Sequence, residues 1–335
     1  MLRRLPRHQP WLRVTPTPAP LATPARAHWI ASHALSAVTI DFTMHALYDI
    51  PAPAKLNLFL HIVGRRADGY HLMQSVFALI DWCDTLHVEL RHDGLLSRED
   101  LATPLPADDL TIRAARALQQ ASATPLGAHI GLHKRVPSEA GMGGGSSDAA
   151  SCLLALNRLW KLHLGLAELC RIGVRLGADV PFFLVGRNAW VEGTGDIVQP
   201  IDLPPALFMV VKPPQGLATA AIFQDSGLKR DSETATIAGF AVDPYGFGRN
   251  DLQPVAQRLC AGVKMGLEWL QSRGLRGRMT GSGSAVFAHA DVQRELGDAP
   301  AGFAVRWCAG LHVHPLAGWA DSDDLPVRSL GCAPV

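Results

Sequence analysis

The sequence predicts a chain of about two domains that mixes strands with helices. Three observations carry this expectation. The length, 335 residues, suits about two domains at roughly 150 residues each. Hydrophobic residues make up 48% of the chain, ample for packed cores. Apolar patterns of period 2 and of period 3.6 both recur, and the pair Pro204-Pro205 marks a natural boundary between an earlier and a later set.

The totals exclude several classes. Net charge is +1, so the charge balance calls for neither nucleic acid nor an anionic membrane as partner. No apolar run reaches the roughly 18 residues of a membrane-spanning helix. Six cysteines (Cys83, Cys152, Cys170, Cys260, Cys308 and Cys332) include no C-x-x-C pair. That argues against zinc and against a disulfide framework, and fits a reducing, cytoplasmic setting. The 14 histidines contain no H-E-x-x-H pattern.

Residues 1–43 stand apart. Arg3, Arg4, Arg7, Arg13 and Arg26 meet no acidic residue before Asp41, and prolines recur at Pro6, Pro10, Pro16, Pro18, Pro20 and Pro24. Such a stretch buries too little apolar surface to offset the entropy of ordering it. It reads as a disordered or non-native extension. Translation beginning at Met44 is the favoured expectation, and an arginine-rich, acid-poor targeting segment is the alternative.

Ordered patterning starts just afterwards. Residues 51–63 form a strand entered through prolines and apolar enough to be buried on both faces. Lys55 and Asn57, two apart, share one of those faces and need partners if buried; a lysine reaching solvent at the strand's start is the plainer possibility. Residues 64–71 make a turn carrying Arg65, Arg66, Tyr70 and His71. Leu86, Val88 and Leu90 alternate with polar residues as a half-exposed strand. Asp108 or Asp109 can cap a helix through about Gln120, with Leu110, Ala114, Ala117 and Leu118 on its core side.

Residues 137–150 are the most telling stretch. Gly141, Gly143, Gly144 and Gly145 crowd into five positions, Ser146 and Ser147 follow, and a helical pattern with Ala149, Ala150, Leu153, Leu154 and Leu156 begins. Ile130 and Leu132 read as a strand before it. A glycine loop entering a helix offers free backbone N–H groups and the positive end of a dipole, so phosphate is the expected guest. It is neither a Walker A motif nor G-x-G-x-x-G with a distant acid. A flexible turn capping a helix is the other possibility. A second helix follows, with Leu166, Leu169, Ile172 and Leu176 inward.

Asp179 then sits two residues before Pro181 and beside an apolar run. It is either a satisfied turn residue or a carboxylate held in a dry functional site. Residues 190–195 read as a hairpin, 207–211 as a strand, 219–223 as a short segment, and 251–270 as one long amphipathic helix. Residues 278–287 form a second glycine-serine loop running into a strand. The tail beyond Leu316 lacks periodicity and is expected at the surface or disordered.

Five motifs stand in a fixed order: Pro53-Ala54-Lys55-Leu56-Asn57-Leu58, Arg66-Ala67-Asp68-Gly69-Tyr70-His71, Gly143-Gly144-Gly145-Ser146-Ser147, Leu176-Gly177-Ala178-Asp179-Val180-Pro181 and Arg278-Met279-Thr280-Gly281-Ser282-Gly283. Over residues 48–316 the chain resembles the GHMP kinases, and among them the branch that acts on 4-diphosphocytidyl-2-C-methyl-D-erythritol. The resemblance implies a two-domain α+β fold: a ribosomal protein S5-like N-terminal ATP-binding domain at residues 44–204, a ferredoxin-like C-terminal domain at 205–316, a tail at 317–335, and the active site in the cleft between domains. It implies transfer of phosphate from ATP, with Mg2+, to the tertiary 2-hydroxyl of a substrate carrying a cytidine diphosphate group, in isoprenoid precursor synthesis. The protein would be a monomer or weak homodimer.

The roles follow motif by motif. Asp179 matches the general base, and Lys55 the charge beside it. Pro137, Gly141, Met142, Gly143, Gly144, Gly145, Ser146 and Ser147 match the ATP phosphate site, with Ser146 or Ser147 as candidate magnesium ligand. Tyr70 and Phe223 match two rings that sandwich cytosine, His71 the residue beside the base edge, and Asn57 and Thr219 substrate-side polar positions. Glu139 and Ala140 depart from glycine-richer versions of the loop entry. Asp148 puts a carboxylate beside the phosphate site, which repels phosphate unless it is compensated. Another GHMP small-molecule kinase, of homoserine or mevalonate type, is the nearest alternative, and an inactive binding member of the fold the next. The Tyr70-His71 element opposes the first, and the presence of both Lys55 and Asp179 the second.

Overall fold

The computed structural model describes residues 44–322; the expectations for residues 1–43 and for the end of the tail lie outside them. The chain opens with two long antiparallel strands, β1 (Ala46–Arg65) and β2 (His71–Arg91), paired along almost their whole length. A short β3 (Leu96–Asp100) precedes helix α1 (Leu110–Ser122), then β4 (Gly127–His133), α2 (Gly144–Leu159), α3 (Leu166–Gly173) and α4 (Val180–Val185). A hairpin, β5 (Ala189–Glu192) with β6 (Ile197–Pro200), closes the first half. The second half runs β7 (Leu207–Lys212), α5 (Thr219–Gln224), α6 (Ile237–Ala241), α7 (Gln253–Leu259), α8 (Ala261–Ser272), β8 (Arg278–Met279), β9 (Val286–Ala290) and β10 (Ala304–Leu311).

Among the described residues, all ten strands join one sheet. Its main path is β3-β4-β2-β10-β7-β9-β8, with β1 and β5 also on β2. Among the named strands of the described residues, only β3 and β4 pair in parallel. Strand β10 joins the halves: residues 304–309 pair with β7, and Gly310 and Leu311 with β2. Pro204 and Pro205 fall in the loop that enters β7.

Strand β1 threads three hydrophobic clusters in turn. Ile50 and Ala52 pack with α1 to α4, Leu56, Leu58 and Phe59 with Phe208 and Phe287, and Leu60 and Ile62 with α7 and α8. A strand covered on both faces must be mostly apolar at successive positions, which explains its hydrophobic run. Lys55, Asn57 and His61 interrupt that run, and all three are buried. Local chemistry sets the helix starts. Asp109 caps α1, its carboxylate accepting from Ile112 N at 3.1 Å. Pro181 stands in the first turn of α4, where its missing N–H has no partner to lose.

One expectation is corrected. Residues 251–270 are two helices, not one: Cys260 is extended (φ −139, ψ 103) and ends α7 as it begins α8. There the backbone lies so close to Pro213 that a Cβ on Gly262 would stand 2.6 Å from the proline Cβ. As far as Ser322 the tail runs at the surface, as expected: Ala317, Gly318, Asp321 and Ser322 are exposed and Trp319 and Ala320 half-buried, and it is anchored there by local contacts. Leu316 is core, Asp321 N donates to Leu164 O at 3.2 Å, and Leu166 N donates to Ser322 O at 3.0 Å. Arg158 lies over the Trp319 ring at 4.8 Å. The segment pairs backbone to backbone with the start of α3, and such pairing needs no periodic side chains.

Candidate active site

The glycine loop lies against the second glycine-serine loop. Ser284 N donates to Glu139 O at 3.0 Å and Ala285 N to Ala140 O at 3.2 Å. The departure at Ala140 makes a backbone contact that any residue can make, whereas Glu139 takes a left-handed φ of +50, a conformation glycine would adopt more easily. Gly141 (φ +72) and Gly281 (φ +53) meet at the crossing. Thr280 ties the loops to β1: its Oγ1 accepts from Asn57 N at 2.9 Å and donates to Gly141 O at 3.3 Å. Helix α2 begins directly after Gly143, so the free N–H groups of its first turn lie at the floor of a cavity of about 640 Å³. Pro137 and residues 141–146 line that cavity, as do Lys55, Asn57, Asp179, Thr219 and Phe223. Ser147 differs from the expectation. It is fully buried in α2, does not line the cavity, and its Oγ has no hydrogen-bond partner.

Lys55 is fixed on every side. Its backbone N–H donates to Met142 O at 3.0 Å, and its Nζ donates to Asn57 Oδ1 at 2.6 Å. The ammonium sits over the Phe77 ring at 4.4 Å and 3.5 Å from Asp179 Oδ2. Burial pulls the lysine pKa below its ordinary value, and the Asp179 carboxylate opposes that pull. Asp179 stands at the N-cap of α4 but makes no side-chain cap bond, and its side chain is 29% exposed. It is therefore not a satisfied turn residue; its carboxylate faces Lys55 and the cavity. Asn57 is held by Lys55 and by Ser75, whose Oγ accepts from Nδ2 at 2.9 Å. Thr219 Oγ1 is 2.7 Å from Ser282 Oγ.

Asp148 has the compensation it needs. Lys134 Nζ donates to Asp148 Oδ2 at 2.6 Å and to the fully buried Asp84, which also accepts from Val136 N at 2.7 Å. Burial pushes the Asp148 carboxyl well up; Lys134 opposes this and Asp84 reinforces it. Burial would lower Lys134, but the two carboxylates hold it above its ordinary value. One ammonium serves two buried carboxyls, so the group presents no bare negative charge to the cavity. Sequence spacing gave no sign of this cluster, because Asp84 and Lys134 are 50 positions apart.

A second cavity, also of about 640 Å³, adjoins the first, and Met73, Thr194 and Phe223 line both. Tyr70 and His71 line the second. The His71 and Phe223 rings are 5.1 Å apart and tilted by 34°. Tyr70 is 66% exposed at the rim. Arg230, absent from the expected site, also lines this cavity and donates through Nε to His71 Nε2 at 3.0 Å. Among the described residues no group of three His, Cys, Asp or Glu could hold a metal ion, and no helix is long and apolar enough to cross a membrane.

Comparison with known proteins agrees with this geometry. Residues 109–187 match the GHMP kinases N-terminal domain. The 4-diphosphocytidyl-2-C-methyl-D-erythritol kinase of Albidiferax ferrireducens is 68% identical over 286 residues, spanning 85% of this chain and all of that protein. The Variovorax paradoxus enzyme of the same name is 62% identical over 83% of this chain and all of its own length. A solved structure of 4-(cytidine 5'-diphospho)-2C-methyl-D-erythritol kinase, 36% identical, superposes with a TM-score of 0.64, covering 72% of this chain and 89% of the other. Homoserine kinase from Cytophaga hutchinsonii, at 14% identity and TM-score 0.58 over 83% of this chain and 98% of its own, shares the fold. The chain is α+β and belongs to the 4-diphosphocytidyl-2-C-methyl-D-erythritol kinase family of the GHMP kinases.

Proposed function

We propose that this protein transfers the γ-phosphoryl group of ATP to the 2-hydroxyl of 4-diphosphocytidyl-2-C-methyl-D-erythritol. The observation that carries the proposal is the Lys55–Asp179 pair, 3.5 Å apart, in a cavity with the glycine loop on its wall and the Tyr70-His71 cavity opening beside it. One cavity suits a triphosphate, the other a nucleobase, and the acid–base pair lies in the first, which shares a wall with the second.

Asp179 accepts the proton of the substrate hydroxyl as the oxygen attacks phosphorus. A tertiary alcohol is a poor nucleophile, so a base within reach matters. Lys55, 3.5 Å from that carboxylate, supplies its counter-charge and stabilises the developing alkoxide, and Asn57 Oδ1 fixes the direction of its ammonium. Phosphoryl transfer otherwise rests on in-line positioning and neutralisation of charge. The N–H groups of residues 141–146 hold the phosphates, helped by the dipole of α2. The close backbone packing at Gly141 fits a loop shaped to wrap an oxyanion. Mg2+ would be held by Ser146, which lines the cavity where Ser147 does not, together with the phosphates, and would offset their charge. Tyr70, His71 and Phe223 hold the cytosine, and Thr219 a polar group of the acceptor. The five free cysteines among the described residues support a reducing, cytoplasmic setting.

The test is ADP release from ATP and Mg2+ with diphosphocytidyl-methylerythritol, mevalonate or homoserine as acceptor. Turnover with the cytidyl compound alone is expected. Turnover with another acceptor would keep the fold and overturn the base pocket. No turnover from folded protein that binds ATP would favour an inactive binding member.

A further inference from the structure

We infer that Arg230 is a positioning residue for base recognition, locking His71 in the tautomer that carries its proton on Nδ1, so that the ring presents a fixed donor and selects cytosine over uracil. The inference rests on the cytidyl substrate proposed above and names how that base is told from its nearest relative.

Arginine is protonated at any working pH, so its Nε–H can only donate. The nitrogen 3.0 Å away, His71 Nε2, must therefore be the acceptor and carry no proton. A neutral imidazole holds one N–H, which is then on Nδ1. Burial, followed by the Arg230 and Arg65 charges, lowers the His71 pKa and keeps the ring neutral. Arg230 cannot easily swing away. Its remaining N–H groups donate to Leu228 O at 3.0 Å, Phe223 O at 3.2 Å and Asp225 O at 2.9 Å. The same guanidinium thus ties His71 to the end of α5, which carries Phe223. No described residue hydrogen-bonds His71 Nδ1, and this nitrogen is left for a ligand in the cavity that His71, Arg230 and Phe223 line.

A fixed donor reads one difference between the pyrimidines. Cytosine N3 accepts a hydrogen bond, whereas uracil N3 carries a hydrogen and would face the Nδ1–H with a second donor. A free histidine could change tautomer and accommodate either base. Held by Arg230, it cannot, and a mismatched polar group in a half-buried site is poorly tolerated.

The experiment uses the full chain with 15N-labelled histidine, the His71 signals being assigned from a His71→Gln spectrum. Wild type should show Nδ1 protonated and Nε2 bare at neutral pH, and should bind CDP about tenfold or more tighter than UDP by calorimetry. Arg230→Met should give a mixture of tautomers and lose most of that preference while the KM for ATP stays unchanged; Arg230→Lys, which restores a donor, should recover part of it. A wild-type spectrum with the proton on Nε2 would overturn the inference by itself, even if Arg230→Met failed to fold. So would equal weakening of CDP and UDP in Arg230→Met, the mark of a merely structural role, or wild type without a preference for CDP. These outcomes are separate from the ADP-release assay, which alone decides the kinase proposal.

Discussion

Gly141 and Gly281 touch backbone to backbone. A Cβ on Gly281 would stand 2.5 Å from Gly141 O and 2.9 Å from its Cα, and a Cβ on Gly141 would run into Thr280 O and stand 2.9 Å from Gly283 N. Both residues have positive φ. The phosphate loop therefore owes its shape to a loop 140 residues further along the chain, and the two must be considered together.

Gly281→Ala should accordingly impair ATP binding from outside the phosphate loop. The left-handed backbone alone disfavours alanine by about 1 kcal/mol, and the clash with Gly141 has no flexible side chain to absorb it. The melting temperature should fall by roughly 2–4 °C for each kcal/mol lost in a domain of this size, and the KM for ATP should rise about tenfold. Steady-state kinetics with varied ATP decide it. A lower melting point with an unchanged KM would show that the contact stabilises the fold without shaping the phosphate site.

Asp179→Asn should reduce kcat by about 10²–10⁴, the usual scale for losing a general base, with the KM for the cytidyl substrate nearly kept. The substitution is close in shape, and Asp179 makes no cap bond that α4 would miss. It also removes the charge that opposes the burial of Lys55, whose pKa should then fall further. Near wild-type turnover would mean that positioning and charge alone carry the reaction.

The legible parts of the sequence were those set by local rules. The double-sided strand β1, the Asp109 cap and the glycine entry to α2 each depend on residues a few positions apart. The Lys55-Asn57 pair was visible because period 2 places them on one face, and the structure joins them at 2.6 Å. What was hidden depends on residues brought together by the fold. Asp148 looked like a liability until Lys134 and Asp84 came beside it. Arg230 sits in a polar stretch with no periodicity, and its bond to His71 spans 159 positions. The break at Cys260 leaves the apolar pattern almost in phase on either side, so periodicity alone reads one helix through it.

Tyr70→Ala should act on binding and hardly on stability. The ring is 66% exposed, so its removal forfeits little core contact and the melting temperature should hold. Losing one stacking partner of a base corresponds to about 1–3 kcal/mol, a rise of about 5- to 150-fold in the KM for the cytidyl acceptor. The KM for ATP should not move. Parallel changes in both would detach Tyr70 from base binding.

Asp148→Asn should flatten the dependence of stability on pH. Burial, against the pull of Lys134, lifts the Asp148 pKa from 3.8 to about 8. Between those values the folded chain holds a proton there that the unfolded chain has released. The unfolded state binds fewer protons, so stability falls as pH rises through this window. The contribution is full below the unfolded value and is spent once pH passes the folded one. Asparagine cannot ionise, yet it keeps an oxygen for Lys134, and its amide leaves much the same unpartnered donor as the protonated Oδ1. Wild type and variant should therefore converge toward pH 4, and the variant should become progressively the more stable one as pH rises toward 8. Denaturant melts of the nucleotide-free protein across that range provide the measurement. Parallel curves would mean that Lys134 satisfies both carboxylates in their ionised forms.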